Sequence, residues 1–233
     1  MKSHITNQLV KIIIILFFIL PGNLMAQNKV VREIDAFDQV KVSDDLQVEF
    51  IKSDKENITI VANGIGYDKI VTESSGRELR VKVKTGVYKD TDVKIEVEYV
   101  KLRSIEASNK ANVTFREVLT GDELNLKASG GGVINVEVDV SALKASLSNG
   151  GRIEISGSAD LQEVDANLGS KFNAYELETE NGFVKSNTNS EVVVWVKNKL
   201  DATAGSKAQL KYRGKPAEVK SSTSLGGKIS GDL

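Results

Sequence analysis

The sequence of 233 residues contains no cysteine and a single histidine, His4. The absence of cysteine excludes disulfide bonds, thiol catalysis, zinc–thiolate sites and a lipid-modified cysteine. His4 lies in an amino-terminal segment that we expect to be removed. The remaining chain would therefore have no imidazole for a Ser-His triad or for a histidine-ligated metal. We predict no catalytic residue, no metal site and no cofactor.

Residues 1–26 have the layout of a secretory signal peptide. Lys2 and Lys11 precede an apolar run over 12–20, and the segment ends in a small residue, Ala26. A membrane anchor is the alternative, but this run is far shorter than the roughly 20 residues of a span. We predict cleavage after Ala26, no transmembrane segment in the mature chain, and export to the periplasm, the outer-membrane surface or the medium.

A basic excess is also missing. Cleavage would remove two lysines and no acid, which leaves 29 basic and 32 acidic side chains in residues 27–233. Neutralising a nucleic-acid backbone requires a surplus of lysine and arginine. We therefore expect no nucleic-acid partner.

Helical periodicity is lacking after residue 26, and short stretches of alternating apolar and polar residues take its place. This alternation is the period of a half-buried strand. It is found in the segments 40–42, 46–50, 58–60, 79–83 and 93–99. We interpret residues 27–100 as an antiparallel β layer, which is either a domain of its own or the first layers of the structure that follows.

After residue 101 the chain repeats a corner rich in glycine, serine or asparagine, with short alternating strands around it. The residues taken as the repeat register are 110, 132, 152, 171, 191, 207 and 228, with spacings of 22, 20, 19, 20, 16 and 21. Seven recurrences near 20 residues indicate a solenoid, because a single coil cannot bury its own apolar face. The pattern predicts an all-β protein in which residues 101–233 form a β-solenoid, or β-helix, of about six to seven coils. Together with residues 27–100 this region could be one continuous domain.

The glycine run Gly130–Gly132 is most simply such a corner, because glycine adopts positive φ at little cost. A phosphate loop would need Gly-Lys-Ser/Thr at the start of a helix, whereas Gly227-Lys228 is followed by Ile229 and a strand pattern. Calcium-binding β-rolls repeat every nine residues and carry an aspartate, which these corners lack.

Two sets of carboxylates could in principle serve polysaccharide chemistry. They are Asp160, Glu163 and Asp165, and then Glu176, Glu178 and Glu180. The second set alternates with Leu177 and Thr179, so its members point the same way from one strand, into water. We predict that the protein is not an enzyme, and we keep a polysaccharide-acting enzyme as the less favoured alternative.

The repeat register also predicts an outer binding surface. Residues one, three and five places after the register position are apolar and should face inward, so residues two and four places after it should face outward. This places Tyr175 beside the only tryptophan, Trp195. Exposed aromatics beside amides and a lysine suit contact with a glycan or a protein. The predicted contact residues are Asn173, Tyr175, Val193, Trp195, Gln209 and Lys211.

Three segments also resemble a known family. They are "REIDAFDQVKVSDDLQVEFIKS" (32–53), "ELRVKVK" (78–84) and "KLRSIEASNKANV" (101–113), followed by the corner repeats. They are similar to the bacterial family described as putative auto-transporter adhesin, head GIN domain, over about residues 31–230. The resemblance implies an exported, β-rich protein with a β-helical region, typical of the Bacteroidota cell envelope. It supplies no functional residues that could be transferred.

Two non-catalytic functions follow from these observations. The first is an adhesin-like scaffold that contacts a glycan or an envelope or surface protein. The second is a structural envelope protein that assembles with copies of itself through the open end of the solenoid, since unpaired strand edges invite pairing. Lys215-Pro216 and the polar last coil argue against filaments. The oligomeric state is left open.

Overall fold

A computed structural model describes residues 29–231 of the chain, and the predicted signal peptide lies outside these residues. Within them, one 3-10 turn (Tyr67–Lys69) accompanies seventeen strands, so the predicted all-β class is confirmed. The strands are β1 (Lys29–Glu33), β2 (Gln39–Val42), β3 (Gln47–Lys52), β4 (Asn57–Asn63), β5 (Ile70–Ser75), β6 (Glu78–Val83), β7 (Asp92–Tyr99), β8 (Ser104–Ser108), β9 (Asn112–Phe115), β10 (Leu119–Ser129), β11 (Val133–Leu147), β12 (Arg152–Ala166), β13 (Lys171–Ser186), β14 (Glu191–Ala204), β15 (Gln209–Arg213), β16 (Glu218–Thr223) and β17 (Lys228–Ser230).

From β8 onward the strands stack in parallel as a β-solenoid of about seven coils, which confirms the predicted architecture. The long strands β11 to β14 each have two arms, because the inward alternation changes phase part-way along them, at Ser141–Ala142 in β11. In each long strand, the first arm follows one corner and the second arm precedes the next corner. We call the outer side of the first arms, together with that of β9, β15 and β17, the front face. The outer side of the arms that precede a corner is the back face, and it also contains β8, β10 and β16.

The amino-terminal strands extend this stack. β2 and β3 pair in parallel with β8 and β9, and β6 and β7 pair in parallel with β2 and β3. The predicted antiparallel layer is present as β5 on β6, β4 on β7 and β1 on β4. Alternation alone could not separate the two groups, because both kinds of strand bury one face only. Although strands pair across residue 100, the proposed division into 27–100 and 101–233 stays a prediction.

Each corner of the solenoid turns through residues with positive φ and then reaches a small residue. In the glycine run, Gly130 and Gly131 have φ of 57° and 77°. A Cβ on Gly132 would overlap the carbonyl oxygen of Ala107 in the preceding coil. The corners are joined to one another, since the Gly131 N–H donates to Asn149 O at 3.1 Å. The first two glycines therefore turn the chain, and the third allows close contact between coils.

The core of the solenoid is built from columns of aligned apolar side chains. Ile134, Ile153, Phe172, Val192 and Leu210 occupy equivalent positions on successive front arms, and each is at most 1% exposed. Such columns bury the face that no single coil could cover.

The amino-terminal coils have a core that contains aromatic rings. Phe50 stacks on Phe115 with centroids 5.1 Å apart, and Tyr99 packs edge-on against both rings. Burial raises the pKa of Tyr99 to about 12, with a smaller contribution from Glu117. The aromatic cluster therefore packs across the three parallel strands β7, β3 and β9.

Asp38 joins three neighbouring coils at the start of β2. Its carboxylate accepts hydrogen bonds from Arg77 at 2.7 Å and Arg103 at 2.9 Å, and its carbonyl accepts from the Arg103 N–H at 2.9 Å. Burial acts to raise the pKa of Asp38, but the two guanidinium groups outweigh it and hold the pKa below its ordinary value. The charged form of Asp38 is therefore favoured in the folded state.

Candidate functional site

A row of outward side chains crosses the front face from β11 to β15. Paired positions place Asn135 beside Glu154, Glu154 beside Asn173, Asn173 beside Val193, and Val193 beside Lys211. Because adjacent coils lie about 4.8 Å apart, these side chains form one continuous surface.

A bulge in β13 changes this surface at Tyr175. Ala174 is paired with Val194, but the next pair is Glu178 with Trp195, so β13 has three extra residues at this point. Leu177 turns into the core, whereas Tyr175 is 41% exposed. The Tyr175 N–H donates to Asn173 Oδ1 at 3.2 Å. Tyr175 faces outward by the regular alternation of β13, and the bulge adds Glu176 as a second consecutive outward residue.

Arg213 lies between the aromatic side chains of Tyr175 and Trp195. Its guanidinium carbon is 3.9 Å from the Trp195 ring centroid and 4.7 Å from the Tyr175 ring centroid. Its Nη1 donates to the Tyr175 carbonyl at 3.1 Å. A guanidinium over an aromatic ring is attracted by the electron-rich ring face. The three side chains form what we call the Tyr–Arg–Trp stack.

Buried polar groups hold the backbone beneath this stack. Gln162 is fully buried, and its Nε2 donates to Thr179 Oγ1 at 2.6 Å. The Thr179 hydroxyl in turn donates to the Trp195 carbonyl at 2.6 Å. These contacts satisfy a carbonyl next to the bulge, where the regular pairing of β13 with β14 is interrupted. They therefore fix the position of Trp195.

Beside the Tyr–Arg–Trp stack, the front face forms an open groove of about 740 Å³. Three of its lining carboxylates, Glu137, Glu154 and Glu176, form no ion pair within residues 29–231. The lining also includes Thr114, Phe115, Asn135, Asn173, Tyr175, Val193 and Lys211. The groove offers amide and carboxylate hydrogen-bonding groups, with an aromatic ring at its side.

All six predicted contact residues lie on the front face. Asn173, Tyr175, Val193 and Lys211 line the groove, and Trp195 belongs to the Tyr–Arg–Trp stack. Gln209 is paired with Glu191 instead and stands apart from the groove lining.

The predicted alignment is wrong by two residues in the coil of β15. Lys211 is paired with Val193, and the residue beside Trp195 is Arg213. Lys207 is itself a corner residue with φ of 63°, whereas Lys171 begins its strand. Counting from Lys207 as though it began a strand placed Lys211 beside Trp195 and missed Arg213. An alignment on the small corner residue, Ala208, would have found it.

Of the carboxylates considered for catalysis, Glu176 lines the groove, whereas Asp160, Glu178 and Glu180 line a separate depression of about 350 Å³. Lys197 donates to Glu178 at 2.9 Å and lies 3.0 Å from Glu180. Hydrogen bonds to these two carboxylates raise the pKa of Lys197 above its ordinary value. In residues 29–231 no group of three His, Cys, Asp or Glu side chains is arranged to hold a metal ion.

Residues 36–216 match the family model described as putative auto-transporter adhesin, head GIN domain. The chain belongs to this family. The resemblance found in the sequence is therefore confirmed. The comparison with curated proteins gives no match.

Several solved structures share the fold of this head GIN domain protein. A putative adhesin from Bacteroides fragilis is 18% identical, with a TM-score of 0.78 over 89% of this chain and 98% of that one. A putative adhesin from Parabacteroides merdae, also 18% identical, has a TM-score of 0.72 over 88% and 96%. A protein from Parabacteroides distasonis called a putative lipid binding protein, at 18% identity, has a TM-score of 0.69 over 89% and 98%. At this identity the likeness shows the shared fold.

No helix in the described part of the chain is long and apolar enough to cross a membrane.

Proposed function

We propose that this head GIN domain protein is an exported, non-catalytic adhesin whose front groove binds a glycan. The observation that carries the proposal is the Tyr–Arg–Trp stack beside an open polar groove. Tyr175 and Trp195 supply rigid contact area with little side-chain entropy to lose. The stack also needs no ligand to order it, because Arg213 already fixes both rings.

The chemistry of the groove favours a sugar over an apolar ligand. Asn135 and Asn173 can donate and accept hydrogen bonds, and the carboxylates of Glu137, Glu154 and Glu176 accept them. Sugar hydroxyls need both kinds of partner, and the apolar face of a sugar ring can lie against an exposed aromatic such as Tyr175. The groove crosses several coils, so it suits an extended oligosaccharide.

Export and the absence of catalysis are parts of the same proposal. The signal-peptide pattern of residues 1–26 supports export, and the adhesin family supports a place in the envelope or outside the cell. Glu178 and Glu180 share the cation of Lys197, which favours a structural role for this carboxylate pair. Intact mass of the protein recovered from the native cell envelope and medium tests export, since cleavage would leave Gln27 as the first residue.

A binding screen tests the proposed function. Residues 27–233 would be presented to an oligosaccharide array and to isolated surface proteins, with the double variant Tyr175→Ala/Trp195→Ala alongside. Phe183→Ala is the matched control, because Phe183 is an aromatic with 43% exposure on the back face. Glycan binding that the double variant loses and the control keeps supports the proposal. Binding to surface proteins alone would replace the glycan with a protein ligand, and binding retained by the double variant would contradict the site.

A further inference from the structure

The two ends of the solenoid differ in how their strand edges are covered. At the amino-terminal end, the antiparallel strands β5 and β4 lie against β6 and β7. At the other end, β16 pairs only with β14 within residues 29–231. All six residues of β16 are exposed. Val219 is 43% exposed, although its paired residue Leu200 is fully buried.

The free edge of β16 has a defined set of hydrogen-bonding groups. The Ser224 N–H donates to Ala204 O at 3.0 Å, which directs the N–H groups of the even-numbered residues toward β14. Because direction alternates along a strand, the N–H and C=O groups of Val219, Ser221 and Thr223 point to the open edge. Such an edge is a template for another β-strand.

We propose that β16 pairs antiparallel with β16 of a second copy, in a two-fold dimer centred on Val219. In this register the two Val219 residues exchange both of their backbone hydrogen bonds, as an antiparallel hydrogen-bonded pair does. Their side chains meet on the core side. The register also places Glu218 of each copy opposite Lys220 of the other, which makes two complementary ion pairs.

This arrangement continues a charge pattern that the molecule already has. On the back face Lys199 lies 3.3 Å from Glu218, and Asp201 lies 3.3 Å from Lys220. Across the two-fold axis, Glu218 would meet Lys220 and Lys220 would meet Glu218, so opposite charges would alternate through the interface. The interaction closes at two copies, because a two-fold interface uses the same strand edge in both of them.

Sedimentation velocity of residues 27–233 over a concentration series tests the dimer. We expect a reversible dimer of twice the monomer mass of this mature chain. Val219→Pro removes the two central N–H donors without touching the bonds to β14, so it should weaken association by about tenfold or more. Val219→Ala is the matched control. It keeps both N–H groups and should weaken association less.

A charge-exchange experiment tests the register. Glu218→Lys alone would set two lysines opposite each other at both contacts, and Lys220→Glu alone would set two glutamates opposite each other. Each variant should therefore associate more weakly than the wild type. An equimolar mixture of the two variants pairs unlike charges at both contacts and should form the heterodimer. Thermal unfolding of each variant confirms that it is folded.

Three results would overturn the proposal. They are a wild-type chain that stays monomeric at every concentration, a dimer that Val219→Pro leaves unchanged, and a mixture that associates no better than its components. Growth beyond two copies would overturn the closed two-fold arrangement.

Discussion

On the back face of the solenoid, charged side chains of neighbouring coils pair with one another. On the front face, a tyrosine and a tryptophan enclose one arginine beside an open groove. Both faces are formed by the same strands β11 to β14, with the same coil spacing. The back face contains Lys127–Glu106 at 3.2 Å and Lys144–Glu163 at 3.9 Å, whereas the groove carboxylates form no ion pair within the described residues.

This difference shows that a regular repeat need not present the same chemistry on each side. Each exposed ion pair contributes roughly 0–1 kcal/mol to the free energy of unfolding, so the pairs on the back face mainly keep this surface hydrated and add little stability. The groove on the front face instead has carboxylates without ion pairs in residues 29–231, and the aromatic rings beside it are fixed in place by Arg213. We interpret the back face as a solvated surface and the front face as the contact surface.

The largest expected effect is the loss of ligand binding in Tyr175→Ala/Trp195→Ala. Removing Tyr175, which lines the groove, together with Trp195, which holds Arg213 beside it, should weaken binding by about 100-fold, since aromatic residues dominate the energetics of such sites. Isothermal titration calorimetry with the glycan found in the screen measures this. Phe183→Ala should change affinity by less than about twofold. Equal losses of affinity in Tyr175→Ala/Trp195→Ala and in Phe183→Ala would mean that the front and back faces do not differ in ligand binding.

Removal of the Asp38 charge should have the next largest effect. Asp38→Asn should lower the free energy of unfolding at pH 7 by about 1–3 kcal/mol, because the hydrogen bonds to Arg77 and Arg103 lose their ionic component. Urea unfolding of both proteins measures this difference. Ligand affinity should stay unchanged, since Asp38 does not line the groove and precedes β2, which pairs with the back-face strand β8.

The pH dependence of that difference follows from the lowered pKa of Asp38. A carboxylate with a lower pKa in the folded than in the unfolded state stabilises the fold above its unfolded pKa, near 3.8. The stabilisation is lost as the pH falls through the lower, folded value. The gap between wild type and Asp38→Asn should therefore be constant from about pH 7 to pH 5 and shrink below about pH 4. A gap that widened in acid would contradict this sign.

Thr179→Val should cost about 1–2 kcal/mol of stability and also weaken binding. It removes the hydroxyl that bonds to both the Trp195 carbonyl and Gln162 Nε2, and leaves these two groups only their weaker mutual hydrogen bond of 3.4 Å. Gln162→Leu should cost less, because Thr179 can still donate to Trp195. Thermal unfolding and the fluorescence of the single tryptophan measure the two effects. A larger loss of stability in Gln162→Leu than in Thr179→Val would contradict the assignment of Thr179 as the main hydrogen-bond partner of the Trp195 carbonyl.

The smallest effect is expected for charge removal on the back face. Lys144→Met breaks an exposed pair whose atoms are 3.9 Å apart, so the free energy of unfolding should change by less than about 1 kcal/mol. Any change should shrink further in high salt. Urea unfolding at low and high salt checks this. A large loss of stability that does not depend on salt would show that Lys144 stabilises the fold by contacts other than its ion pair.

The solenoid could be predicted from the sequence because its determinants are local and repeated. Corner residues such as Gly150 and Asn189 recur at nearly constant spacing, and alternation marks the strands between them. The parallel pairing of β2 and β3 with β8 and β9 could not be predicted, since strand direction depends on how distant segments pack. The bulge at Tyr175 was also missed, although two consecutive outward residues, Tyr175 and Glu176, interrupt the alternation of β13 at that point.

The candidate site was predicted in part for the same reason. Tyr175 and Trp195 lie in coils whose register residues begin their strands, so their outward direction could be counted from the sequence. Arg213 was missed because the preceding corner places Lys207 in the turn itself. Phe183 was missed because it lies on the arm before a corner, whereas outward positions were counted only along the arm after one.

Side-chain footprinting of the bound protein tests the functional difference between the faces most directly. Hydroxyl radicals label tyrosine, tryptophan and phenylalanine, so one experiment compares Tyr175, Trp195 and Phe183 with and without ligand. We predict that the ligand lowers labelling of Tyr175 and Trp195 and leaves labelling of Phe183 unchanged. Protection of Phe183 with Tyr175 and Trp195 unaffected would contradict the assignment of the front face as the contact surface.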